Sequence, residues 1–167
     1  MLNIQTGDKN SILRTKCSKV EKFNSSLKKF VEEMKSVMTQ EDEDGNIIGV
    51  GLAANQVGKS LRILLLTQNV GTKKEKKILT VINPEILELS SQKVIMEEGC
   101  LSLPGIYAPI SRSAKARVRW QNTEGRWCEK KFSDWEARIF LHEYDHLEGI
   151  LFTDYLKKGG KRSCVDA

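Results

Sequence analysis

Histidine is almost absent from this chain, with two residues in 167. A site built from three imidazoles is therefore excluded. No apolar run approaches the roughly 20 residues that cross a bilayer as a helix. The opening MLNIQTGDKN has no basic segment followed by an apolar one. Neither a membrane span nor a secretory leader is expected, and the cytoplasm is the expected compartment. Cysteine is sparse and irregularly spaced, at Cys17, Cys100, Cys128 and Cys164, with no CxxC. A disulfide framework is not expected in a reducing compartment. No basic motif interleaved with aromatics is present, which argues against sequence-specific nucleic-acid recognition.

What is there fits an ordinary folded chain. Apolar residues make up 40% and charged residues 29%, a balance that can bury a core. The length suits a single domain over 1–167. Net charge is +5, with a pI of about 9.0. The excess is local, in one run at Lys73, Lys74, Lys76 and Lys77 and another at Lys157, Lys158, Lys161 and Arg162. Two solvated basic segments are the plain reading, the second a flexible tail over 157–167; weak attraction to ribosomal RNA is the sharper one.

Periodicity places the elements. Residues 1–20 read as an irregular arm. Between Asn24 and Asp42 the residues Leu27, Phe30, Val31, Met34, Val37 and Met38 recur at helical spacing, with Ser25 or Ser26 as candidate caps. Leu61–Thr67 reads as a buried strand. A second strand runs from Lys77 and is expected to break at Asn83-Pro84. Short strands are expected at Ile86–Ser90 and Lys93–Met96. Residues 115–121 alternate, with Ala116, Val118 and Trp120 on one side, and pair with Arg126–Phe132 as a hairpin. Ser133-Asp134-Trp135-Glu136 has the form of a capping box, opening a helix that ends near Gly149. A helix, many short strands and a second helix predict an α+β fold.

The two histidines sit on that second helix, as His142-Glu143-Tyr144-Asp145-His146. Residues at i and i+4 share a helix face, so both rings can bind one metal ion with Glu143 as general base. The third histidine of a metzincin would fall at Phe152, which excludes that class. After the helix the only glutamate is Glu148, poorly placed as a ligand. The third donor must come from upstream. Cys100, in Glu98-Gly99-Cys100-Leu101-Ser102, gives a Cys-His-His site with an open position, the mark of a catalytic centre. In Gly49-Val50-Gly51-Leu52-Ala53-Ala54-Asn55-Gln56, Gln56 is the polar group able to donate from a tightly packed segment.

GVGLAANQ, EGCLS and HEYDHLEG, in that order, resemble the three signature motifs of the peptide deformylase family. The flanks agree: Ile12-Leu13-Arg14, Trp135-x-Ala137-Arg138, and Gly149-x-Leu151-Phe152-x-Asp154-Tyr155-Leu156. The resemblance implies antiparallel sheets wrapped around a central HExxH helix, and hydrolysis of the formyl group from the formylmethionine of nascent polypeptides. It implies metal ligands at Cys100, His142 and His146, with Fe(II) usual and Zn, Ni or Co able to substitute. Glu143 would be the general base, and the Gln56 amide and Leu101 N–H would meet the charge on the formyl oxygen. Ile48, Met96, Trp135, Ile139 and a face of His142 would hold the methionine side chain, with the peptide backbone beside Gly49, Gly51 and Gly99. Glu98 is expected to pair with Arg112. Leu141 replaces the family's usual Gln, and Tyr107 stands where many members carry Arg. The chain runs about a dozen residues past Leu156, where many bacterial members carry a helix that docks on the ribosome. An HExxH peptidase and a non-catalytic basic binding module are the alternatives.

Overall fold

The computed structural model describes residues 1–157. The expected basic tail lies outside them from Lys158 onward, as does Cys164. The architecture is α+β, as the element order predicts. Strands β1 (Gly51–Ala53), β2 (Ile63–Gln68), β3 (Lys77–Leu89), β6 (Lys115–Gln121) and β7 (Trp127–Ser133) form one antiparallel sheet in the order β1-β2-β3-β6-β7. Strands β4 (Lys93–Cys100) and β5 (Leu103–Ser113) form a separate antiparallel hairpin. Four α-helices and a 3-10 turn at Ala54–Val57 complete the described chain: α1 (Ser11–Arg14), α2 (Ser25–Met38), α3 (Asp134–Leu147) and α4 (Asp154–Lys157).

Two apolar layers explain why β2 reads as an unbroken apolar run. Ile63 and Leu65 face a core built with α2, whereas Leu64 and Leu66 face one built with α3. Side chains alternate across a strand, so one covered on both faces has no polar side. All six apolar positions assigned to α2 are buried. Its cap, however, is Asn24, whose side chain accepts from the Leu27 N–H at 3.0 Å, rather than Ser25 or Ser26. The helix also stops at Met38, leaving the acidic stretch after it in a loop.

Three further expectations are corrected. Asn83-Pro84 does not end a strand. β3 runs through it with a register shift between Ile82 and Glu85, and Asn83 takes a left-handed φ of 51°. The Asn83 side chain is pinned to Val20 N and O at 2.8 and 2.9 Å. A bulge is one of the few places a sheet accepts proline. Pro104 and Pro109 likewise hide β5, an edge strand with one partner, where a missing N–H costs little. The capping box before α3 does not form: Ser133 makes no side-chain cap bond, and Glu136 pairs instead with Lys130 at 2.8 Å. α1 was hidden because four residues carry no period; its buried Leu13 anchors the arm.

Gly149 closes α3 and locks it to that arm. Its φ is +72°, and a Cβ there would lie 2.5 Å from the Arg14 carbonyl oxygen. Only glycine meets both conditions. No described helix is long and apolar enough to cross a membrane.

Candidate metal centre and active-site cavity

α3 sets the two histidine rings one turn apart, their centroids 5.2 Å from each other. Cys100 reaches them from the end of β4, where the pairing with β5 shifts between Gly99 and Cys100 to make a tight turn. Cys100 Sγ lies 3.3 Å from His146 Nε2. One donor atom from each of Cys100, His142 and His146 falls within 4.8 Å of the others. A thiolate and two imidazoles on such a triangle fit a tetrahedral divalent ion with one position open.

The groups behind the donors fit as well. Glu98 accepts from His142 Nδ1 at 2.8 Å, which leaves Nε2 to face the thiol; a metal-binding histidine is oriented by such a partner. Glu98 also accepts from Arg112 Nε and Nη2 at 2.5 and 3.0 Å, the expected pair. Arg138 Nη1 donates to Glu98 at 2.7 Å and to the Ile110 carbonyl at 2.8 Å. Its Nη2 donates to the Val94 carbonyl at 2.7 Å. Arg138 thereby ties the Cys-bearing hairpin to the helix bearing the histidines. Asn55 donates to the His146 carbonyl at 2.7 Å.

Electrostatics divide the roles. Burial alone would lower His142, but hydrogen bonds with Cys100 and Glu98 and the charge of Glu143 outweigh it and lift the ring to about 10. Burial and the nearby His142 and Arg112 hold His146 well below its usual value. Burial raises Glu143 to about 7 against the opposing pull of His142 and Arg112. Its Oε2 is buried with no hydrogen-bond partner. An unpaired buried carboxylate oxygen is costly unless water or substrate meets it.

A cavity of about 430 Å³ opens over this group. Of the residues singled out from sequence, Ile48, Gly49, Gly51, Gln56, Gly99, Leu101, Trp135, Ile139 and Glu143 line it together with Cys100 and His142. His146 lies behind, almost fully buried. Met96 is the exception. It is half-buried on β4 opposite Ile110 and is not among the lining residues. Close packing explains two glycines. A Cβ at Gly51 would sit 2.5 Å from Glu143 Oε1, and one at Gly99 would sit 2.6 Å from the Tyr107 ring. The ring of Tyr107, directly opposite Gly99 in the hairpin, forms part of the mouth.

Gln56 is fixed at both ends of its amide. Oε1 accepts from Ala53 N at 2.8 Å, and Nε2 donates to Ser102 Oγ at 3.1 Å and points to Cys100 Sγ at 3.5 Å. Sequence reasoning missed Ser102, Asn55 and the role of Arg138. Arg138 stands four residues before His142, so the helical spacing that paired the histidines also marks it.

A family model described as Polypeptide deformylase matches residues 1–162. A peptide deformylase of Thermotoga neapolitana is 42% identical over 146 residues, 87% of this chain and 82% of that protein. A chloroplastic peptide deformylase 1B of rice is 36% identical over 86% of this chain and 51% of its own length. Among solved structures, the peptide deformylase of Thermotoga maritima superposes with a TM-score of 0.81 at 40% identity, covering 92% of this chain and 96% of that one. A probable peptide deformylase of Synechococcus phage S-SSM7 gives 0.82 at 34% identity, covering 93% and 99%.

Proposed function

This chain belongs to the polypeptide deformylase family, and from that footing we propose which of its residues do the work. The reaction is hydrolysis of the formyl group from the amino terminus of newly made polypeptides, and it depends on a metal. The observation that carries the residue assignment is the meeting of Cys100, His142 and His146 in one triangle beside the unpartnered carboxylate oxygen of Glu143. Cys100, His142 and His146 hold the ion. Fe(II) is the proposed resident, with Zn, Ni or Co compatible with one sulfur and two nitrogen donors. When bound, the ion supplies a Lewis acid that activates water and polarises the formyl carbonyl.

Glu143 is the general base. It takes the proton from the attacking water as the new C–O bond forms, then returns it to the amine as the C–N bond breaks. Formate and a free amino terminus leave. Burial raises the Glu143 carboxyl above its ordinary range, which favours its taking up the proton. Negative charge grows on the formyl oxygen, and donors fixed beforehand stabilise it without reorganising. The Gln56 amide, held by Ala53 N and Ser102, and the Leu101 N–H are those donors. Ile48, Trp135, Ile139 and the His142 ring form the apolar seat for the methionine side chain. The substrate backbone adds as a strand beside Gly49, Gly51 and Gly99, which line the cavity.

The enzyme acts on nascent chains, and we assign it to the cytoplasm. Weak ribosome association through its basic segments is part of this reading. The test is formate release from formyl-Met-Ala-Ser in anaerobic buffer, with and without a chelator. Glu143→Gln should lose at least about 100-fold in kcat while metal analysis stays at one ion per chain. Retained turnover would refute the base, and cleavage of unformylated peptides would favour a peptidase.

A further inference from the structure

The buried ion network does not end at the carboxylate that orients His142. Arg112 grips Glu98 with two of its nitrogens. Its third, Nη1, donates to Asp145 Oδ2 at 2.7 Å. The same oxygen accepts from the Tyr155 hydroxyl at 2.7 Å, and the Arg112 guanidinium lies 5.1 Å from the Tyr155 ring centroid. The chain of contacts runs from α4 through α3, β5 and β4 to a metal ligand. Arg112 and Glu98 are about 5% and 4% exposed at the side chain, so water cannot replace a lost link.

α4 has four residues and cannot hold itself as an isolated helix. It is held from outside. Arg14 of the arm donates to Asp154 Oδ2 at 2.6 Å, and that oxygen also accepts from Leu151 N at 3.1 Å. Phe152, just before it, packs 5.9 Å from the His142 ring. The arm and the segment after α3 therefore fix Tyr155 at the far end of the network.

We propose that Tyr155 is a positioning residue of the metal centre, its hydroxyl acting through Asp145, Arg112 and Glu98 to hold the His142 ring with Nε2 toward the ion. Asp145 has the most exposed side chain of the intervening three, at 14%, and without the hydroxyl it is free to turn outward and release Arg112. Glu98 cannot follow a moving Arg112 without giving up Arg138 or His142, because its two oxygens already serve both. The displacement therefore ends at the ligand.

The proposal rests on the Cys-His-His reading, and its test is read on metal rather than on turnover. Full-length wild type, Tyr155→Phe and Tyr155→Leu are loaded with Co(II). Metal loss to a chelator, the visible cobalt bands and Tm are then measured. Tyr155→Phe keeps the ring on Arg112 and removes only the hydroxyl. It should speed metal loss about three- to tenfold, less than the roughly 10–100-fold of a direct partner because it stands three residues removed. The cobalt bands should shift, and KM for a formyl peptide should stay within about twofold while kcat falls with the metal. If Tyr155→Phe matches wild type in metal loss and spectrum, with or without a lower Tm, the proposal is overturned. The same holds if only Tyr155→Leu moves them, because the ring and not the hydroxyl would then be acting. Should Tyr155→Phe fail to fold, Asp145→Asn weakens the same link and must show the same shifts. A wild type that takes up no cobalt sinks the metal reading and the proposal together. One that holds cobalt but releases no formate refutes only the assigned reaction.

Discussion

Glu98→Ala removes the carboxylate on which Arg112, Arg138 and His142 converge. In the folded chain Glu98 accepts from Arg112 twice, from Arg138 and from His142. With Asp145 it sets two carboxylates against two guanidiniums, and Glu98, Arg112 and Arg138 are each 5% exposed or less at the side chain. Alanine leaves an uncompensated positive charge and loses every one of those hydrogen bonds. Removing one partner of a buried ion pair costs about 3–5 kcal/mol. In a domain of this size each kcal/mol moves Tm by roughly 2–4 °C, so a fall of about 6–20 °C is expected. Metal binding adds its own stabilisation by mass action. Urea titrations should therefore be run once with nickel in excess and once with chelator. The loss should appear in both, and be larger with nickel if Glu98 also holds the ligand in place.

The pH dependence follows from the same contacts. Burial alone would raise the Glu98 carboxyl, but hydrogen bonds from His142 and Arg112 and the Arg112 charge hold it far below the carboxylate range. A group depressed on folding contributes stability above its unfolded value, near 4.3 for glutamate, and loses it as pH falls toward the folded one. The gap between wild type and Glu98→Ala should be full at pH 7 and narrow only below about pH 4. Glu98→Ala and Arg112→Ala together should cost less than their sum, by about 0.5–3 kcal/mol, since they share one interaction. A loss below about 1 kcal/mol for Glu98→Ala in both metal states would show that solvent reaches the network, and the reasoning would fail.

Gly51→Ala puts a Cβ 2.5 Å from Glu143 Oε1 and 2.8 Å from Ile139 Cγ2. It should cut kcat by about 10–100-fold through a displaced base, with metal content by elemental analysis unchanged. Gly149→Ala must take a φ of +72° against the Arg14 carbonyl, and urea melts should show at least about 2 kcal/mol of destabilisation. Burial pushes the Cys17 thiol up to about 11 despite the nearby Arg62. Iodoacetamide at pH 8 should therefore label the partly exposed Cys128 well before Cys17, as read by peptide mass mapping, and unfolding in urea should erase the difference.

What could be read from the chain divides along sequence distance. The facing of His142 and His146 follows from helical period alone, and so does the buried stripe of α2. The start of α3 was read where it falls, at Ser133-Asp134, but the Ser133-x-x-Glu136 box that marked it does not form, because Lys130 on the neighbouring strand takes the glutamate. Proline was overread at Asn83-Pro84, since its meaning depends on whether the strand has a bulge there, which is not local. Cys100 was reached by eliminating other third ligands and by resemblance, not by spacing. The supporting shell lay furthest from view. Glu98 meets His142 across 44 positions, Arg112 meets Asp145 across 33, and Arg14 meets Asp154 across 140. The resemblance paired Glu98 with Arg112, but Asp145 and Asp154 alone read as solvated charges. Glu98 and Arg112 are buried because each meets an opposite charge, and a lone charge in their place would be expelled. The metal donors could be named from local chemistry, whereas the residues that aim them exist as a unit only once four distant segments have closed on one another.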